Sequence, residues 1–318
     1  MSRILVIGAS GQIGTELVEY LAEDYGSDRI IGSDLRKPKT PPEVKEFIEL
    51  DVLDKQALED AVKTHDISVI YNLAAVLSAT AESIPEKAWQ INMEGLLNVL
   101  QVARDYNLER IFWPSSIAVF GKSTPKQNTP QQTITEPSTV YGISKLAGER
   151  WCEFYHRKYG VDVRSVRYPG LIGYKSLPGG GTTDYAVEIY HKALEGKPFE
   201  CFLNADTKLP MMFMPDAVRA TVELMQAPEG AISVRSSYNL AAFSISPEEV
   251  TASITRHIPD FEITYKPDYR QTISETWPHS IDDSFARSDW NWHHDYDLDK
   301  MTKVMLEELP KYKKSIEV

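Results

Sequence analysis

Short apolar runs alternate with longer amphipathic ones through the first half of this chain. Arg3–Ile7 (RILVI) has the pattern of a buried strand, and Ile13–Ala22 then sets Ile13, Leu17, Val18 and Leu21 on one helical face. Arg29–Ser33 and Glu46–Leu50 predict further strands, and Asp54 is placed to cap a helix over Lys55–Lys63. Ser68–Asn72 and Arg110–Trp113 are strand-like. Between them Pro85–Asn107 predicts a long helix whose apolar face carries Ile91, Leu96, Leu97, Leu100 and Ala103. A second long helix is predicted over Tyr141–Tyr159, followed by a strand over Asp162–Tyr168. This alternation predicts an α/β fold built on a doubly wound parallel sheet, with helices on both faces and right-handed crossovers.

Beyond Pro169 the rhythm loosens. Gly179–Thr183 reads as a loop, and helices are predicted over Tyr185–Glu195, Pro215–Gln226, Ser246–His257 and Leu298–Lys311. There is no internal repeat and no low-complexity linker.

Composition narrows the partners. With 42% hydrophobic and 25% charged residues in 318, the chain reads as globular. A formal net charge of -12 repels phosphate backbones and anionic lipid surfaces, so neither nucleic acid nor membrane is expected as a partner. Cys152 and Cys201 form no CxxC pair, which suits a reduced compartment. No targeting pattern precedes the first strand and no apolar stretch spans a bilayer, so a cytoplasmic location is expected.

Gly8-Ala9-Ser10-Gly11-Gln12-Ile13-Gly14 lies between the first strand and the first helix. Glycine at the first position permits the turn, at the second a close approach to a pyrophosphate, and at the third close helix–strand packing. The helix N-terminus offers free N–H groups and partial positive charge to phosphates. Asp34 ends the second strand, where a carboxylate accepts the adenine-ribose hydroxyls and repels a 2′-phosphate. That favours NAD, while Arg36 and Lys37, just beyond Leu35, leave tolerance of NADP open. Asp51 and Val52 are expected to flank the adenine, and Leu73, Ala74 and Ala75 to lie where the cofactor passes. Residues 1–168 are thus expected to form an NAD-binding Rossmann domain, its sheet completed by parts of 212–242. Residues 169–318 are expected to be mainly a smaller C-terminal α/β substrate cap.

Tyr141 and Lys145 stand four apart on a predicted helix, so their side chains share a face. A phenol with an ordinary pKa near 10 is a poor base at neutral pH, and a neighbouring ammonium stabilises its phenolate. Ser115 and Ser116 follow the fifth strand, at the sheet edge where doubly wound folds bind ligands, and supply a hydroxyl to orient a substrate oxygen.

With Gly8, Gly11, Gly14, Asp34, the run at 72–75, Ser116, Tyr141 and Lys145 in this order, the whole chain resembles the extended short-chain dehydrogenase/reductase superfamily, the NAD-dependent epimerases and dehydratases. Within it, Pro114–Gly121, Arg167–Ala186, Leu209–Ala217 and Trp277–Trp292 resemble the short-chain-type L-threonine 3-dehydrogenases. The resemblance implies Tyr141 as general base, Lys145 as its modulator and Ser116 as substrate-hydroxyl partner, where many relatives carry threonine. It implies cofactor contacts from Ser10, Gln12, Ile13, Leu35, Arg36, Asn92 and Tyr168 as well. Ser78, Thr182, Asp184 and Trp277 are its candidates for holding a zwitterionic amino acid. Asp184 is equally readable as the N-cap of its helix. The implied reaction is NAD-dependent oxidation of L-threonine at its β-hydroxyl to 2-amino-3-oxobutyrate, without a metal, in a homodimer joined through the helices at Pro85–Asn107 and Tyr141–Tyr159. The alternatives are a sugar-nucleotide epimerase or dehydratase and a non-catalytic dinucleotide sensor. The apolar, uncharged stretch Leu209–Pro215 (LPMMFMP), whose methionines read as pocket wall or core, is expected to suit a small compact substrate. His293-His294-Asp295 reads as a solvated loop rather than a zinc site. Asn291 stands where the resemblance leads one to expect glycine.

Overall fold

A computed structural model describes residues 3–38, 41–177 and 181–316. Of the anticipated glycine loop, Gly179 and Gly180 lie outside the described residues. The first half runs β1 (Arg3–Ile7), α1 (Gln12–Tyr25), β2 (Ile30–Asp34), β3 (Glu46–Glu49), α2 (Lys55–His65), β4 (Ile67–Asn72), α3 (Ser78–Ser83), α4 (Pro85–Asp105) and β5 (Arg110–Phe112). It continues with β6 (Ser115–Ser116), α5 (Val140–Tyr159), β7 (Val163–Arg164) and β8 (Val166–Tyr168). The remainder holds β9 (Gly170–Ile172), α6 (Tyr185–Leu194), β10 (Phe199–Cys201), β11 (Leu209–Phe213), α7 (Met214–Gln226), β12 (Tyr238–Asn239) and β13 (Phe243–Ile245). It ends with α8 (Pro247–Thr255), β14 (Ile263–Tyr265), α9 (Tyr269–Ser274), α10 (Ser284–Trp290) and α11 (Leu298–Ile316).

The large sheet has the order β3-β2-β1-β4-β5-β7 with every join parallel, as the sequence pattern predicts. Its central strand β1 is apolar and buried from Ile4 to Ile7 because both faces are covered there. On one side α1 and α7 seal a core that includes Leu17, Val18, Val218 and Trp292. On the other, α2, α4 and α5 contribute Leu58, Leu96, Leu100 and Tyr155. A third apolar cluster joins α6, α8 and α11 to β11 through Tyr190, Ile254, Met305 and Phe213.

The single strand expected over Asp162–Tyr168 is broken at Ser165. β7 pairs with β5, whereas β8 pairs with β6 and with β12, so the chain changes neighbours at that point. Leu209–Phe213 departs further from expectation. It is a fully buried strand between β9 and β13, and its side chains fill core rather than line the cleft. Its apolar character therefore reports burial and says nothing about substrate size. Helix α11 runs through Pro310 to Ile316, beyond its predicted end. Asn291 adopts φ 58°, the left-handed turn that ends α10, so asparagine fills the place expected for glycine without changing the turn.

Candidate functional site

Along the carboxyl ends of β1, β4 and β6 runs a cleft of about 330 Å³. Gly8 follows β1 with φ +82°, and the N–H groups of Gly8 and Ala9 both donate to Ser33 O at 2.9 Å, tying the loop to β2. Gly14 lies so near this turn that a Cβ on it would stand 2.1 Å from Gly8 O. Helix α1 therefore begins hard against the loop, with its first-turn N–H groups lacking partners inside the helix. Gly11, Gln12, Ile13 and Gly14 all face the cleft. The Asp34 carboxylate accepts Ser10 N at 3.1 Å and Leu35 N at 2.8 Å. Those bonds fix its position at the loop and leave lone pairs for two hydroxyls. The glycine cradle, the open helix end and this carboxylate fit a dinucleotide.

The proton-handling groups enter the same cleft from α5 and β6. Thr139 caps α5 by accepting Gly142 N at 3.0 Å, which orients the first turn carrying Tyr141. The Tyr141 phenol and Ser116 both line the cleft. Desolvation pushes that phenol up to about 12, with Ser116 pulling the other way. Lys145 is buried and donates to Pro114 O at 2.6 Å, its ammonium lying 4.6 Å from the Trp113 ring centre and 5.4 Å from that of Tyr141. Burial pulls the ammonium down to about 7 against the raising influence of Cys152 and Glu149. The ammonium is bonded to the Pro114 carbonyl, and desolvation is the larger influence on Tyr141.

Most of the anticipated site converges. Leu73, Ala75 and Tyr168 border the cleft with the glycine loop, and Ser78, Thr182, Asp184 and Trp277 line it together with Tyr141. Asp184 occupies the N-cap position of α6 without a side-chain capping bond; its Oδ2 accepts Gly181 N at 2.8 Å instead. Ser78 begins a short helix that the sequence pattern does not show.

Several anticipated cofactor contacts stand outside the cleft lining. Asn92 is buried, its Oδ1 accepting Val76 N at 2.7 Å and its Nδ2 donating to Val76 O and Ser144 Oγ, so its amide braces the loop after β4 against α5. Val52 packs on Gly95 of α4, and Asp51 accepts Leu53 N at 2.9 Å. Ala74 packs against the core beside β4, and Leu35 and Arg36 are exposed beyond Asp34. Pro114, Thr80 and Leu177 line the cleft unanticipated. Pro114 was readable as the residue leading into the paired serines, whereas Thr80 and Leu177 carry no local signal.

The family model described as "NAD dependent epimerase/dehydratase family" matches residues 4–241. An uncharacterized epimerase/dehydratase of Staphylococcus saprophyticus is 48% identical over 310 residues, 96% of this chain and 97% of the relative. Among solved structures, the holo form of a GalE-like L-threonine dehydrogenase from Cupriavidus necator is 54% identical with a TM-score of 0.95, covering 96% of this chain and 99% of its own. A monomeric L-threonine 3-dehydrogenase from a metagenome, in its apo form, is 50% identical with a TM-score of 0.93, covering 97% of this chain and 99% of its own.

Proposed function

The chain belongs to the NAD-dependent epimerase/dehydratase family, and from that premise we propose that it oxidises L-threonine at the β-hydroxyl, giving 2-amino-3-oxobutyrate. The observation carrying this reading is that Tyr141, Ser116 and Lys145 line the same cleft as the open end of α1. The choice of threonine is supported by the two threonine dehydrogenases that share about half their residues with this chain over nearly its full length.

NAD, held by Gly8–Gly14 and Asp34, supplies an acceptor for the β-carbon hydride. Tyr141 removes the hydroxyl proton as general base. Ser116 orients that oxygen and hydrogen-bonds it as it becomes a ketone. The buried Lys145 ammonium places positive charge on the phenol's side of the cleft. Asp184 takes the substrate ammonium, with Thr182 and Ser78 offering hydroxyls to the carboxylate, and Trp277 closes the wall. In this reading residues 1–168, with Tyr238–Asn239 paired to β8 in a smaller sheet beside the large one, serve the cofactor, and most of the remainder serves the substrate.

A second copy is the proposed partner across α4 and α5, where Trp89, Ile143 and Trp151 are exposed. The monomeric relative makes the mass in solution the deciding measurement.

Tyr141→Phe should retain NAD binding by calorimetry and lose at least about 100-fold in NADH formation with threonine. Near-wild-type turnover in that variant removes Tyr141 from the role. Wild-type protein that turns over UDP-sugars and not threonine overturns the substrate.

A further inference from the structure

One stripe of α5 carries Tyr141, Lys145 and, a turn further, Glu149. Glu149 is fully buried, yet the proton chemistry proposed above does not use it. Its Oε1 accepts Ser115 Oγ at 2.7 Å and Arg167 Nε at 2.8 Å, and its Oε2 accepts Arg167 Nη2 at 2.8 Å. Arg167 is itself pinned, donating to Gln131 O at 3.2 Å and Asn239 Oδ1 at 2.9 Å. Ser115 pairs with Arg167 across β6 and β8.

We propose that Glu149 is a positioning residue for the reaction: its carboxylate, clamped by Arg167 and Ser115, holds the Pro114–Ser116 strand end in register with the helix face bearing Tyr141 and Lys145. The inference rests on the reading of Tyr141 and Lys145 as the proton-handling pair.

Neighbouring residues on a strand point to opposite faces, so a Ser115 side chain held at α5 turns Ser116 toward the cleft and Tyr141. The same segment carries the Pro114 carbonyl that receives Lys145. A bidentate carboxylate–guanidinium pair fixes direction as well as distance, and a buried one cannot lose a partner without stranding the other charge. Glu149 also places a negative charge one helical turn from Lys145 and favours its ammonium. The groups facing Lys145 are Tyr141, Glu149 and Cys152 on its own helix, and the Trp113 ring and Pro114 carbonyl from the strand segment. Behind Glu149 stands Arg167 from β8, and α4 contributes the neutral Asn92, reaching α5 through Ser144.

The test uses full-length Ser115→Ala, Ser115→Thr and Glu149→Gln proteins. The Lys145 titration is followed without substrate by the 13Cε shift of labelled lysine, assigned with Lys145→Met. In Glu149→Gln the Lys145 midpoint should fall by about one pH unit or more. In Ser115→Ala the midpoint should hold, kcat with threonine should fall about tenfold, and KM for NAD should stay, with Ser115→Thr recovering part of the loss. An unmoved Lys145 midpoint in Glu149→Gln overturns the electrostatic part, and full kcat in Ser115→Ala overturns the positioning part. If Glu149→Gln does not fold, the serine variants decide. Wild-type protein inert toward threonine fails the substrate reading alone, because the lysine titration needs no substrate.

Discussion

Replacing Glu16 with glutamine should stabilise this protein at alkaline pH and leave it nearly unchanged at acidic pH. Glu16 lies on α1 with only 8% of its surface exposed, and its Oε1 has no hydrogen-bond partner among the described residues. A Cβ on Gly173 would stand 3.2 Å from that oxygen, so backbone closes one side. Burial pushes the carboxyl from 4.5 up to about 7; Lys175 pulls it down, but its ammonium is bonded to Glu19, which pushes Glu16 up. A carboxyl with a raised pKa holds its proton more tightly folded than unfolded. Its folded form therefore carries no penalty below pH 4.5, and stability is lost as pH rises from 4.5 through 7. At 1.36 kcal/mol per pH unit, the shift from 4.5 to about 7 corresponds to roughly 3 kcal/mol. Glutamine removes the ionisation, so the variant should gain roughly 3 kcal/mol at pH 8 and under about 1 kcal/mol at pH 5. Urea unfolding of both proteins at the two pH values measures the difference, with equal m-values as the control. A variant destabilised equally at pH 5 and pH 8 would refute the reasoning.

Gly14→Ala forces a Cβ to within 2.1 Å of Gly8 O, so the loop must move; NAD binding by calorimetry should weaken at least about tenfold, and unaltered affinity would remove the loop from the cofactor site. Asp34→Ala deletes the acceptor of Ser10 N and Leu35 N and should weaken NAD more than NADP, read as the ratio of their KM values; an unchanged ratio counts against the ribose contact. Asn291→Val places a β-branched residue at φ 58° and should cost about 1–2 kcal/mol in chemical denaturation with KM unchanged.

The strands β1, β2 and β4 were legible because they lie inside the sheet and are mostly apolar, whereas the edge strand β3 shows only Phe47 and Ile48 between exposed glutamates. Phe199–Cys201 and Phe243–Ile245 are too short to show a period, and neither was anticipated. The break at Ser165 follows from a change of pairing partner, to β6 and to β12, the latter 72 positions further on, which no local pattern records. Tyr141, Lys145 and the glycine loop were readable because their chemistry depends on spacing within one element. What Asn92 and Val52 touch within the protein was not legible, because it is set by distant partners, here Val76, Ser144 and Gly95. The Leu209–Phe213 stretch misled for the opposite reason: a pocket wall and a core strand carry the same apolar residues.

The joining of Tyr238–Asn239 to the edge of β8 bears on how the protein is made. Tyr238 N donates to Ser165 O at 2.9 Å, and Gln131 bonds both Ser237 O and Asn239 N, so that edge stays open until the later residues leave the ribosome. At ~5–20 residues per second, the stretch of roughly 70 residues after Tyr168 imposes a wait of about 4–14 s. During it the strand carrying Arg167 lacks its outer neighbour and the arginine lacks Asn239. Nascent chains arrested before residues 238 and 239 have emerged from the ribosome should therefore be cut by protease near β8, and chains arrested after they have emerged should resist.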